Sequence, residues 1–240
     1  MIETQLNDLL KIKVCGLTQL EQIEELISMN TDFLGFIFYD KSPRYILKHL
    51  NLKQIGEIAH QGKVGVFVNE SLEKIAETAE KAKLNFIQLH GDEDNDFMIE
   101  LRKQLYPEIK IIKAIRIGNQ KSYQLQQMIN TNKSIVDYFL FDTDSAAFGG
   151  TGKTFDWNIL NEAEIPFPYF LSGGISLENI ENLKILKQKP FAIDINSRFE
   201  TEPGIKDLEK IKILNKYIHN LSPEGTTYNR IGCKSDLNNN

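Results

Sequence analysis

Residues 63–89, KVGVFVNESLEKIAETAEKAKLNFIQL, join two short apolar runs through one amphipathic stretch. In that stretch Leu72, Ile75, Ala76 and Ala79 fall at i, i+3, i+4 and i+7, the single apolar face of a helix over 71–83. The flanking runs, 63–68 and 85–89, have strand length and strand composition. Apolar residues on consecutive positions suit a parallel sheet covered on both faces. The segment is a strand–helix–strand unit, and the chain repeats it in both directions. Further strands are predicted at 11–15, 33–38, 109–115, 136–141, 168–172 and 190–195, and helices at 19–29, 51–60, 95–105, 120–130, 176–187 and 206–218, with a weak one around 156–162. Thr18 followed by Glu21 reads as a capping box, which predicts that the first helix starts at Thr18. Eight strands, each followed by a helix, is the count of a (β/α)8 barrel. A doubly wound open sheet shares the α/β alternation, but eight units within residues 11–220 favour one closed barrel domain.

Residues 1–10 read as an N-terminal leader, and 221–240, polar and without periodicity, as a short disordered C-terminal tail. With 41% hydrophobic and 25% charged residues, the 240-residue chain has an ordinary globular composition. No apolar run approaches the ~18 residues a membrane span needs, and MIETQLNDLLK has no apolar core of a signal peptide. No membrane partner is expected. A net charge of −5 without a basic block argues against a nucleic-acid partner. Two cysteines, Cys15 and Cys233, suit a reducing cytoplasm better than a disulfide framework.

A barrel of this kind carries its active site at the C-terminal ends of its strands. Polar groups converge there: Cys15, Arg44, His90, Asp142, Ser172-Gly173-Gly174, Asp194 and Asn196-Ser197. The loops after strands seven and eight are where barrels bind phosphate, and Gly173 and Gly174 would let backbone N–H groups approach an anion. A tight turn alone would also explain the two glycines. Residues 149–154, GGTGKT, lack the first glycine of a P-loop, since Ala147 stands there, and read instead as a mobile loop over the barrel mouth. Cys15 lies three residues before the expected first helix, whose N-terminus would lower the thiol pKa; an inert buried thiol is the alternative. Asp142, after Phe139-Leu140-Phe141, is placed to be a partly desolvated acid or a turn cap. His90 has no second His or paired Cys at metal-ligand spacing, and Asp142 with Asp144 is a weak cation pair, so no metal site is expected. Arg44 could clamp a carboxylate or lie solvated on the surface.

The segments KVCGLT (13–18), GFIFYDKSPRY (35–45), VGVFVNE (64–70), IQLHGDE (87–93), LFDT (140–143), GGTGKTFDW (149–157), LSGGI (171–175) and AIDINS (192–197) fall in order at every strand end but the fifth. In these the chain resembles the phosphoribosylanthranilate isomerases of tryptophan biosynthesis, over about residues 11–219. The resemblance implies a cofactor-free aldose–ketose isomerase acting on a small-molecule phosphoribosyl substrate, N-(5′-phosphoribosyl)anthranilate, as a monomer or homodimer. It implies Cys15 as general base and Asp142 as general acid. Arg44 would hold the anthranilate carboxylate, with His90 and Asp194 also on the substrate. Gly173, Gly174, Asn196 and Ser197 would hold the phosphate. The family commonly has Gly where this chain has Arg198, which is expected to be strained if that Gly uses φ > 0, to sit in a rearranged loop, or to add a phosphate contact. Two other readings share much of the pattern: another phosphosugar barrel enzyme, like indole-glycerol-phosphate synthase or the histidine-pathway isomerase, and a silent phosphoribosyl-binding barrel. Two aspartates serve the histidine-pathway enzyme, so Cys15 argues against it.

Overall fold

The structure, a computed structural model, describes residues 10–144 and 154–220. Eight parallel strands close into a barrel in chain order: β1 (Lys11–Cys15), β2 (Phe33–Ile37), β3 (Lys63–Phe67), β4 (Phe86–Leu89), β5 (Lys110–Ile117), β6 (Tyr138–Thr143), β7 (Tyr169–Leu171) and β8 (Ala192–Ile195). Outside them lie α1 (Leu20–Ser28), α2 (Leu52–Glu57), α3 (Leu72–Lys81), α4 (Asn95–Gln104), α5 (Ser122–Asn132) and α6 (Leu208–Asn220). The expected leader (but for Leu10), the tail 221–240, Cys233 and all of GGTGKT except Thr154 lie outside the described residues. Among the described residues no helix is long and apolar enough to cross a membrane.

Consecutive apolar positions within a strand separate by the two-residue alternation of side chains. Ile12, Val14, Leu34, Phe36, Ile87, Leu89, Phe139, Phe141, Ile193 and Ile195 pack outward into the cluster shared with the helices. Cys15, Phe33, Val64, Val66, Ile112, Ala114, Leu140, Phe170 and Ala192 pack together inside the lumen. Aromatic rings fill its lower part. Phe33 meets Phe86 and Phe170 edge-on at 5.2 Å, and Tyr138 stacks on Phe191 at 5.4 Å. With that end filled by rings, polar lumen residues are left to the C-terminal rim.

The sequence expectations need three corrections. The sixth and seventh connections are 3₁₀ segments, Trp157–Glu162 and Ile180–Ile185, where helices were expected. In the seventh, the Asn179 side chain accepts from Ser176 N and donates to Gly174 O, both at 2.9 Å, so local side-chain bonds compete with an α-helical first turn. In the sixth, Asp156 caps Asn158 N at 3.0 Å, and Pro166 and Pro168 follow too soon for a longer helix. Thr18 does not cap α1, whose N-cap is Gln19 without a side-chain bond. The Thr18 hydroxyl instead donates to Gly204 O at 2.7 Å, across the barrel seam. Gly204 belongs to an unanticipated hairpin after β8, formed by β9 (Glu200–Glu202) and β10 (Ile205–Lys206).

Candidate active site

Strand register and side-chain alternation bring the polar lumen residues together. Lys13 and Cys15, two apart on β1, face inward. Lys13 lies opposite Asp194 on β8, and Cys15 opposite Gly35 on β2. Lys13 is wholly buried, and its ammonium donates to both Asp194 carboxylate oxygens at 2.9 Å. Gly35 leaves room for the thiol, because a Cβ there would stand 3.0 Å from Cys15 Sγ and 2.9 Å from its Cα. Burial pushes the Cys15 thiol above its ordinary pKa, and the positive charge of Lys13 is the largest influence the other way. This differs from the expectation of a lowered pKa, because desolvation outweighs the charges of Lys13 and Lys206. Burial likewise acts most strongly on Asp194, whose carboxyl stands above its usual range, the Lys13 ammonium opposing the rise.

Across the lumen, Asp142 ends β6, with its side chain mostly buried. One of its oxygens accepts from Thr143 N at 2.8 Å, and the other lies 3.2 Å from His90 Nε2. The Gln88 amide nitrogen sits 2.9 Å from His90 Nδ1. In that orientation Nδ1 accepts, and Nε2 carries the proton facing Asp142. The Gln88 carbonyl oxygen is then buried without a hydrogen-bond partner among the described residues. His90 is thus held between two protein groups. Asp194, opposite Lys13 on β8, faces the same lumen.

Arg44, in the β2 loop, is buried, which excludes the solvated surface alternative. Its Nε and Nη2 donate to the Glu200 carboxylate at 3.0 and 2.6 Å. Glu200 also pairs with Lys206 at 2.5 Å, and Lys206 donates to Asn196 Oδ1 at 2.9 Å. Among the described residues no acceptor is bonded to Arg44 Nη1. The sequence places Gln88 at this rim beside His90, but it does not single out Glu200, Lys206 or Lys13 as site residues. The usable signal was parity: Lys13 stands two before Cys15 and Gln88 two before His90, so each shares its neighbour's face.

Gly173 and Gly174 follow β7 at φ +86° and +72°, the left-handed region that glycine enters without strain. A Cβ on Gly173 would run into the Thr143 hydroxyl, stand 2.7 Å from Thr143 N and lie 3.2 Å from Asp142 Oδ1. The β7 loop therefore rests directly on the turn that carries Asp142. Gly173→Ala is expected to lose about 1–3 kcal/mol of stability and to raise KM for substrate, as checked by thermal melting and steady-state kinetics. An alanine variant with unaltered melting temperature and KM would contradict this packing. Asn196 and Ser197 follow β8, Ser197 opening a 3₁₀ turn to Phe199. Arg198 lies in that turn, exposed and outside the positive-φ region, so the expected strain is absent. Among the described residues no three His, Cys, Asp or Glu side chains gather as a metal-holding group.

The residues expected at the site from sequence thus share one rim of one barrel. Residues 12–216 match the family model described as N-(5'phosphoribosyl)anthranilate (PRA) isomerase. An N-(5'-phosphoribosyl)anthranilate isomerase of Parabacteroides distasonis is 40% identical over 204 residues, covering 84% of this chain and 90% of that protein. The crystal structure of phosphoribosyl anthranilate isomerase from Thermotoga maritima superposes with TM-score 0.72 at 34% identity, covering 88% of this chain and all (100%) of that one. A phosphoribosyl anthranilate isomerase crystallised with reduced 1-(o-carboxyphenylamino)-1-deoxyribulose 5-phosphate superposes with TM-score 0.68 at 31% identity, covering 88% of this chain and 100% of that one. A match over nearly the whole barrel, in sequence and in fold, places the chain in the phosphoribosylanthranilate isomerase family.

Proposed function

We propose that this barrel converts N-(5′-phosphoribosyl)anthranilate into 1-(2-carboxyphenylamino)-1-deoxyribulose 5-phosphate, an Amadori rearrangement, with Asp142 as general acid and Cys15 as general base. The observation that carries the reading is the placement of these two groups at the C-terminal ends of β1 and β6, on the strand faces that line one lumen, where the glycine loop after β7 also packs on Asp142. Family membership sets aside the other phosphosugar enzymes and the silent barrel.

The chemistry asks for one acid and one base. Asp142 gives its proton to the furanose ring oxygen as the C1′–O bond breaks, and the anilino nitrogen lone pair forms the C1′=N iminium. Cys15 then takes the proton from C2′, and the C2′–H electrons flow through C1′ to nitrogen, giving an enolamine. Protonation at C1′ and loss of the C2′ hydroxyl proton yield the ketone. No atom is gained or lost, and the iminium nitrogen is the electron sink. Thr143 N and His90 each hold one Asp142 oxygen, which fixes the carboxyl plane. His90 and Asp194 support the site in this reading, with Asp194 anchoring Lys13. The two glycines with Asn196 and Ser197 receive the phosphate, and exposed Arg198 adds charge at that edge. A cytoplasmic enzyme, monomer or homodimer, built as residues 11–220 with a leader and a tail, completes the proposal.

Arg44 orients the substrate through its carboxylate. Glu200, itself held by Lys206, fixes the guanidinium, and Nη1 is left for the ligand. Arg44→Met is expected to raise KM roughly tenfold to a hundredfold, the loss of a charged hydrogen bond of about 1.5–3 kcal/mol, with a smaller change in kcat. An unchanged KM would remove Arg44 from the binding site. The function itself is tested by expressing the chain in a bacterial tryptophan auxotroph that lacks this isomerase. Growth without tryptophan is expected, and a stably expressed chain that fails to restore it would overturn the reading.

A further inference from the structure

Cys15 lies in an unusual concentration of buried charge. From β1, Lys13 shares the inward strand face with Cys15, two residues on, and its positive charge acts on the thiol. From β8 comes Asp194, bound to Lys13 through both oxygens at 2.9 Å. From β10 comes Lys206, held by Glu200 and Asn196. Arg44 closes over Gly16, where a Cβ would stand 2.6 Å from Arg44 Cδ. The β2 neighbour, Gly35, has no side chain. Three cations, Lys13, Lys206 and Arg44, thus face two carboxylates, Asp194 and Glu200. Lys206 and Arg44 share Glu200, and burial holds the Lys206 ammonium below its ordinary pKa, so an anion beside it favours its charged form.

We propose that Lys13 is the positioning residue of the Cys15 base: its ammonium, clamped by Asp194, supplies the fixed positive charge against which the thiolate forms, with Lys206 as the second cation. This rests on the reading of Cys15 as the base. A thiolate at Cys15 forms beside Lys13 without any movement of the barrel, because the two share one strand face. Burial raises the thiol, and Lys13 is the strongest force against that rise. Removing Lys13 therefore drives the thiol higher still. Activity that needs the thiolate then falls away at a higher pH on the acidic side.

The test uses the full chain carrying Cys233→Ser, leaving Cys15 as its one thiol, with carbon-13 at the cysteine Cβ. The Cβ chemical shift is followed against pH by NMR, alongside the pH profile of kcat/KM. In Lys13→Met the titration midpoint is expected to rise by about 1–3 pH units, the range for losing an opposite charge at close quarters, and the acidic limb of kcat/KM to move with it. Lys13→Arg is expected to restore most of both. If Lys13→Met alone does not fold, as judged by thermal melting, Lys13→Met/Asp194→Asn removes the orphaned carboxylate too, and a smaller rise in midpoint remains the expected result. An unmoved midpoint in either folded variant overturns the inference, as does a midpoint that moves without the kinetic limb. Cys15→Ala separates the two readings. If that variant keeps its turnover, Cys15 is not the base. If it is inactive while the midpoint of Lys13→Met stays put, only the role of Lys13 falls.

Discussion

Asp142→Asn is expected to lower kcat by about 10²–10⁴-fold, the usual worth of a positioned general acid, while the barrel stays folded. The replacement has nearly the same shape. Its carbonyl oxygen can still accept from Thr143 N, which Asp142 now does at 2.8 Å. What it lacks is a proton to give to the ring oxygen. Its amide nitrogen would also face His90 Nε2, 3.2 Å from the present carboxylate oxygen, so one donor would meet another unless His90 changes tautomer. Gln88 resists that change only through its amide orientation, which can reverse. The fold should therefore absorb the substitution within about 1–3 kcal/mol. Initial rates at saturating substrate, with a melting curve on the same sample, check both parts. A variant within about tenfold of the parent kcat would take Asp142 out of the acid role, because loss of general acid catalysis costs more than that.

Cys15→Ser is expected to fall as far in kcat, for the complementary reason. Serine fits the space left by Gly35, and the Lys13–Asp194 pair is untouched. A serine hydroxyl, however, is a much weaker acid than a thiol, so the alkoxide that would have to take the C2′ proton is scarcely formed, even beside Lys13. Ring opening by Asp142 does not need Cys15, so the block should come after substrate is bound. KM should accordingly change less than kcat. Single-turnover kinetics with the serine variant check this. Turnover close to that of the parent enzyme would show that another group removes the proton.

The alternation of strand and helix was legible because it rests on local patterns. Ile75 and Ala79 mark the buried face of α3 from sequence spacing alone, and they are buried. The rim residues were legible for a related reason. Once eight strands are placed, the residue at each C-terminal end has only one place to go. The features that escaped depend on pairings distant in sequence. Thr18 carries a sound capping signal, yet Gly204, 186 residues away, takes its hydroxyl. The hairpin from Glu200 to Lys206 is too short to show a period, although its Glu200 fixes Arg44 from 156 residues away. Lys13 sits in the first predicted strand, and only the register of β1 on β8 reveals Asp194 as its partner. The thiol pKa was misjudged for the same reason: helix proximity is visible in the sequence, whereas burial depends on the whole barrel. The sixth and seventh helices failed locally, where Asn179, Asp156 and the following prolines favour tighter turns.

The most direct measurement is the intrinsic fluorescence of phosphoribosylanthranilate mixed with the purified chain in metal-free buffer containing a chelator. The expected result is a catalytic, saturable loss of fluorescence, with 1-(2-carboxyphenylamino)-1-deoxyribulose 5-phosphate as the product. The loss should be slowed by about 10²–10⁴-fold in the Asp142→Asn and Cys15→Ser variants. Fluorescence that persists with the folded parent chain, or that decays as fast with both variants, would contradict an isomerase working through this acid and this base.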